Sequence, residues 1–363
     1  LASEVYIYVD DGRATGHSAE ACWAAIRRFA SICTKLGIQD ATRKRTEPSP
    51  TPGPWAGTVV HTNDGEVVGT VTTEKWEKTK SLIQELESLL LSSEGMPLRR
   101  LLSVRGFLNY VVRTYPWLNP YLKGLHLTID GWREGKDADG YGLSGKALRE
   151  FKAAQVVERQ LESMAGRREH QAEVELGADT QGQGPDPPTF VKPNARLAYD
   201  IKAMKDLTEG DVPARHRYRA TDKIQVLYLS GDASGAGFGS AIIGPDRSIM
   251  YQSGTWKPEF GNESSNFREA ENLVRRIEDM VVEGTLKGQE LFVFTDNSSF
   301  EGTFYKGHSP KSKKLTDIIL RLRRAERYGE LLLHVIHVAG TRMKAWGVDG
   351  LSRAHLLDGM MAG

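Results

Sequence analysis

VLYLSGDASGAGFGSAIIG, residues 226–244, holds two apolar runs around a glycine-rich bend. Branched and aromatic residues favour strands and the Ser-Gly-Ala-Gly segment favours a turn, so the stretch predicts a hairpin with Asp232 near the end of its first strand. The flanking sequence extends the pattern. SIMYQSGTW (248–256) reads as a third strand, SSNFREAENLVRRIEDMVVEG (264–284) as a helix and ELFVFTDN (290–297) as a fourth strand. KSKKLTDIILRLRRAERYG (311–329) reads as a basic amphipathic helix and LLLHVIHVAG (331–340) as a last strand. Three strands, helix, strand, helix, strand predicts an α/β domain with a mixed five-stranded sheet and flanking helices over residues 222–356.

Four acids of this region sit where chemistry is expected. Asp232 and Asp296 each end an apolar strand, the edge at which α/β sheets place their sites. Glu269 lies one turn into a helix begun by Ser264 or Ser265, with Phe267, Ala270, Leu273, Val274 and Ile277 facing the sheet. Asp349 follows the last strand in AWGVDGLSR. Four carboxylates converging from four elements repel one another unless cations lie between them. Hard oxygen ligands of this kind suit Mg²⁺, with Mn²⁺ able to substitute. Two such ions about 3.5–4 Å apart can activate a water and stabilise the leaving oxygen of a phosphodiester.

At these residues the chain resembles the RNase H family, particularly the RNase H domains of retroelement polyproteins. The resembling motifs are DASGAGFGSA at Asp232, SSNFREAENL at Glu269, FVFTDNSS at Asp296 and HVAGTRMKAWGVDGLSR at Asp349, with steps of 37, 27 and 53 residues between the acids. The resemblance implies a metal-dependent endonuclease that hydrolyses the RNA strand of an RNA–DNA hybrid, leaving a 5′-phosphate and a 3′-hydroxyl. It implies Asp232, Glu269, Asp296 and Asp349 as ligands of two Mg²⁺ ions. Backbone groups of the Gly235–Gly239 loop would read 2′-hydroxyls, with Ser234, Gly235 and Gly237 as nucleic-acid contacts, and Asn297 and Ser298 would touch phosphate or sugar. A histidine that many members carry after the last strand is Thr341 here, with His337 earlier, inside the strand. The basic residues of 311–329 are a candidate hybrid-binding face. His334 and His337 point to opposite faces of a strand and read as structural.

The other end of the chain then gains a context. VYIYVDDGR (5–13) is a strand running into two adjacent aspartates and a glycine, the tip of a hairpin. Tyr8-Val9-Asp10-Asp11 resembles the palm metal motif of reverse transcriptases, which implies Asp10 and Asp11 as metal ligands. Ser18 can cap a helix carrying Cys22, Ile26, Phe29, Cys33 and Leu36 on one stripe. Short strands at WAGTVVHT and EVVGTVTT follow, then helices over about 75–91 and 97–114 and another over about 146–164. MPLRRLLSVRGFLNYVVRTYPWLNPYLKGLHLTIDGW (96–132) resembles the thumb and connection of DIRS-like or LTR-type polymerases. The expected division is a partial palm (1–73), a helical thumb or connection (74–164), a flexible linker (165–221), the RNase H-like domain (222–356) and a tail (357–363). AGRREHQAEVELGADTQGQGPDPPT (165–189), rich in Gly, Pro, Gln and charge, carries the linker reading.

Composition sets bounds on these readings. A length of 363 residues accommodates two or three cores. The formal net charge of +1 leaves any attraction to nucleic acid to local patches. Cys22 and Cys33, three helical turns apart, cannot pair and suit a reducing compartment, cytoplasmic or nuclear. The sequence has no apolar run of membrane-spanning length and no signal peptide. Beginning at Leu1 almost directly on a strand, it reads as a piece of a longer polymerase whose remainder lies upstream, with fingers and an earlier palm aspartate absent. A non-catalytic, domesticated nucleic-acid-binding remnant is the alternative, disfavoured because a pure binder needs no convergent acids. A DDE-type integrase or transposase is disfavoured because Glu269 comes between the first two aspartates.

Overall fold

The computed structural model describes residues 4–8, 11–39, 42–63, 66–136, 142–143, 145–158, 187–219, 224–309 and 312–355. They form two compact units, one of residues 1–79, 110–117 and 207–363, the other of 80–109 and 118–206. No helix among the described residues is long and apolar enough to cross a membrane. Cys22 and Cys33 are free thiols.

The chain opens on the antiparallel hairpin β1 (Glu4–Tyr8) and β2 (Asp11–Thr15), in which Tyr8 pairs with Asp11. Ser18 then caps α1 (Ala19–Lys35), its Oγ accepting from Ala21 N at 3.1 Å. Strands β3 (Pro54–Trp55), β4 (Thr58–Asn63) and β5 (Glu66–Thr70) form an antiparallel sheet. Next come α2 (Thr73–Leu90), β6 (Met96–Pro97), α3 (Leu98–Val111), α4 (Lys123–Asp130) and a helical run, α5, over 145–158.

Residues 187–219 correct the expected linker. They hold β7 (Phe190–Val191), which pairs with β6, then α6 (Leu197–Leu207) and β8 (His216–Arg219), which pairs with β5. The reason is an apolar stripe: Leu197, Ile201, Met204 and Leu207 recur at helical spacing and all are buried. Of the segment assigned to the linker, 165–186 and 220–221 lie outside the described residues.

The C-terminal region folds as expected, into a five-stranded mixed sheet with flanking helices. Its strands are β9 (Val226–Ala233), β10 (Gly237–Ile243), β11 (Ile249–Thr255), β12 (Glu290–Thr295) and β13 (Leu332–His337). Their order is β11-β10-β9-β12-β13: the first three form an antiparallel meander, and β9, β12 and β13 run parallel. The helices are α7 (Pro258–Gly261), α8 (Ser265–Val282), α9 (Ser298–Lys306), α10 (Lys313–Tyr328), α11 (Gly340–Ala345) and α12 (Val348–Ser352). On one face, Leu227, Leu229, Leu291, Val293 and Val335 pack with Leu273, Ile277, Phe300 and Ile319 into one core. On the other, Met343, Val348 and Trp346 cover Ala241, Tyr251 and Phe294.

Gly239 is where α12 rests directly on β10. A Cβ there would meet Val348 O at 2.8 Å and Ser352 N at 2.9 Å, with Leu351 closer still. Gly239→Ala is therefore expected to displace α12 and to lower stability by about 1–3 kcal/mol. Thermal unfolding measures this.

Candidate metal centre

Three acids meet at one end of the five-stranded sheet. One carboxylate oxygen from each of Asp232, Glu269 and Asp296 lies within 4.8 Å of the others. The backbone explains the convergence. Strands β9 and β12 are parallel neighbours, so Asp232 near the end of one and Asp296 just past the end of the other leave the sheet on the same side. Ser264, whose Oγ accepts from Phe267 N, starts α8 one turn before Glu269 and sets the height at which that carboxylate meets them.

The electrostatics of the cluster are unfavourable as they stand. Charges at this separation repel by roughly 3 kcal/mol per pair at an effective dielectric constant of about 20. Asp232 is buried, with Oδ1 accepting from Ala233 N at 2.8 Å. Burial, then the facing charge of Asp296 and the adjoining Asp349, pushes its carboxyl up to about 6. Burial, then the charges of Asp296 and Asp232, pushes Glu269 up to about 7, with Arg268 opposing. Asp296 Oδ1 is buried and has no hydrogen-bond partner. An orphaned carboxylate oxygen costs about 1–3 kcal/mol unless something satisfies it, and here it lies among two other acids. A set of hard oxygen donors with one unbonded buried oxygen fits a divalent ion such as Mg²⁺.

The fourth acid meets this trio at one member, Asp232. The Asp349 and Asp232 carboxyl groups interact directly, and Ser352 braces the pair, its Oγ lying 2.8 Å from Asp349 O and 3.3 Å from Asp232 Oδ2. Arg353, one turn on, pairs with Asp349 at 3.0 Å and holds its carboxyl below the usual range.

The other expected contact residues have mixed placements. Ser234 Oγ donates to Ser352 O at 2.6 Å and accepts from Ala236 N and Gly237 N, so it shapes the turn. Gly237 is required by packing, since a Cβ there would lie 2.5 Å from Gly254 O. Gly235 is exposed, and the space beside it is open. Asn297 is buried: its Oδ1 caps α9 by accepting from Phe300 N, its Nδ2 donates to Asn266 O, and its side chain also hydrogen-bonds the Glu269 carboxyl. It thus joins the start of α9 to the acids, while Ser298, the first residue of α9, is exposed.

The basic helix α10 is likewise engaged. Arg321 binds Glu271 and Glu278, Arg323 binds Glu326 and lies over Phe304, Arg327 donates to Glu209 O, and Lys314 pairs with Glu263. These partners engage four of the basic residues that the sequence offered as a hybrid-binding face, and Lys311 lies outside the described residues. His334 pairs with Glu290 at 2.8 Å, and the His337 ring lies 3.2 Å from Asp296 O. Asp10 and the side chain of Asp11 lie outside the described residues.

Asn272, which sequence reading passed over, fastens the centre together. Buried on α8, its Nδ2 donates to Asp232 O at 3.1 Å and to Gly239 O at 2.9 Å. The available signal was its position three residues after Glu269, on the same helical face.

No family model matches the chain, and no curated protein matches it in sequence. Solved structures similar to it include RNase H1 from the halophilic archaeon Halobacterium salinarum NRC-1, 17% identical over 36% of this chain and 96% of that one, with a TM-score of 0.30. LC11-RNase H1 in complex with an RNA/DNA hybrid is 20% identical over 36% of this chain and 96% of its own, with a TM-score of 0.29. A foamy viral protease-reverse transcriptase in complex with an RNA/DNA hybrid is 11% identical over 97% of this chain and 59% of its own, with a TM-score of 0.28.

Proposed function

We propose that this chain is a ribonuclease H that cleaves the RNA strand of RNA–DNA hybrids, in the setting of a retroelement reverse transcriptase. The observation that carries the reading is the convergence of Asp232, Glu269 and Asp296, with an unbonded buried oxygen on Asp296. Asp232, Glu269 and Asp296 would hold Mg²⁺ or Mn²⁺, and Asp349 would join them on leaving Arg353. Such ions supply charge neutralisation and lower the pKa of water at the scissile phosphate. The chain's own part is positional. Asn272 and Ser352 fix Asp232, and the Asn297 cap orients the start of α9 directly after Asp296. The exposed Gly235 lets a backbone approach closely, the property needed to sense a 2′-hydroxyl.

The N-terminal hairpin and the helices after it are read as parts of palm and thumb, with Asp10 and Asp11 as the metal ligands of the palm motif. The Arg353–Asp349 pair is the one observation that favours a binder without catalysis, since it leaves the fourth acid neutralised. Incubation of the full chain with labelled RNA–DNA hybrid, RNA duplex and DNA duplex, with and without Mg²⁺, separates the readings. Metal-dependent cutting of the hybrid alone is expected. Metal-independent binding without cutting would leave the binder.

A further inference from the structure

We infer that a cleft between α8 and the edge strand β11 grips the sugar-phosphate backbone of the hybrid about three nucleotides from the cut. This rests on the hybrid-nuclease reading above. The cleft is lined by Phe238, Trp256, Asn272, Arg275, Arg276 and Asp279. Arg275 is exposed and Arg276 half-buried, and neither makes an ion pair or hydrogen bond with the described residues. The guanidinium groups of Arg321, Arg323, Arg327 and Arg353, by contrast, are all engaged within the fold. Two adjacent unpartnered guanidinium groups beside aromatic rings match phosphate by their planar fork and sugar or base by stacking. The rings are Phe238 and Trp256, with centroids 4.8 Å apart. Asp279 lines the same cleft without pairing to either arginine, so the charge facing an incoming strand is net positive.

Continuity with the metal centre sets the occupant and the register. Glu269, Asn272 and Arg276 fall at i, i+3 and i+7 of α8, one face of the helix. Seven residues at 1.5 Å each place Arg276 about 10 Å beyond Glu269 along the axis. Phosphates of one strand advance about 3.4 Å per nucleotide along a duplex, so for a strand laid along α8 the distance corresponds to roughly three of them. The Trp256 indole donates to Ser234 O at 3.1 Å, which joins the aromatic end of the cleft to the turn beside Asp232. A strand with its phosphate at the acids can thus continue along the turn, past Trp256, to the two arginines.

The test is the double substitution Arg275→Gln with Arg276→Gln in the full chain. Glutamine is a good helix former, so α8 is expected to persist, and circular dichroism verifies it. If the double variant misfolds, Arg275→Gln alone, at the exposed position, serves instead. The KM for a labelled hybrid should rise about tenfold or more while kcat falls less than about threefold. In an Asp296→Asn background, which separates binding from cutting, affinity should drop by a similar factor. The slope of log affinity against log salt should become shallower by about 1.8, two phosphates' worth. Arg275→Lys with Arg276→Lys should recover the slope but not the full affinity, because the charge returns without the fork. Hybrids trimmed to fewer than about three nucleotides on the cleft side should erase the difference between wild type and variant. A glutamine variant with wild-type KM and salt slope, alongside a wild type that cuts hybrid, overturns the cleft and leaves the nuclease reading standing. A wild type that neither binds nor cuts hybrid overturns both.

Discussion

Asp296→Asn is expected to lower Mg²⁺-dependent cleavage of an RNA–DNA hybrid by about 10³-fold or more while making the metal-free protein more stable. Both effects have one cause. Asp296 contributes a carboxylate oxygen that is buried and unbonded, within 4.8 Å of oxygens from Asp232 and Glu269. Amide for carboxylate removes a full charge at nearly unchanged volume, so divalent affinity and charge neutralisation fall together. The same change relieves two like-charge contacts, which should raise the stability of the metal-free state by about 1–3 kcal/mol. Cleavage rates and thermal unfolding in EDTA read the two sides independently. Opposite signs are the signature of a site built for a cation. A variant that loses stability and activity together would indicate a merely structural acid, and full activity would end the proposal.

The second expected result concerns pH and metal removal. The fold raises Asp232 from 3.8 to about 6 and Glu269 from 4.5 to about 7. A carboxyl raised on folding contributes stability that is complete below its unfolded pKa and is lost as pH climbs through the folded one. The metal-free protein should therefore weaken between about pH 4 and pH 7, each group costing about 3 kcal/mol when taken singly and less where both answer to the same repulsion. Saturating Mg²⁺ should remove most of that loss, since an ion bound only by the folded state at 100 times its Kd adds about 2.7 kcal/mol. Below pH 6 the ion must displace protons, so the Mg²⁺-induced rise in unfolding temperature should be small at pH 5.5 and large at pH 8. Unfolding scans at several pH values, with EDTA and with Mg²⁺, measure it. A metal-free protein as stable at pH 8 as at pH 5 would show that the three acids are not mutually strained.

Much of this centre can be read from short stretches of chain. An apolar run that stops at an acid, as VLYLSGD and LFVFTD do, marks a strand end, because burial demands the run and water ends it. Ser264 three residues before Phe267 marks a helix start, which places Glu269 one turn in. Local signals of this kind located Asp232, Glu269 and Asp296. Signals diluted by their surroundings were missed. The stripe Leu197, Ile201, Met204 and Leu207 follows a long polar segment that reads as a linker. Helix α9 begins with Ser298-Ser299, two residues after Asp296; serine is a weak helix former, and the Asn297 cap with burial of Phe300 and Phe304 secures the helix instead.

Sequence by itself determined the order of the five C-terminal strands with α8 and α10, and the height of Asp232, Glu269 and Asp296 on their own elements, since these follow from periodicity and capping within a few residues. Only the tertiary structure decided which charges are spent and which are free. Arg321 is neutralised by Glu271 and Glu278, 50 and 43 residues away, and Asp349 by Arg353, whereas Asp296 keeps a bare oxygen and Arg275 and Arg276 face outward. Pairing depends on distances of a few ångströms between elements remote in the chain, and Coulomb energy and desolvation change steeply over that range.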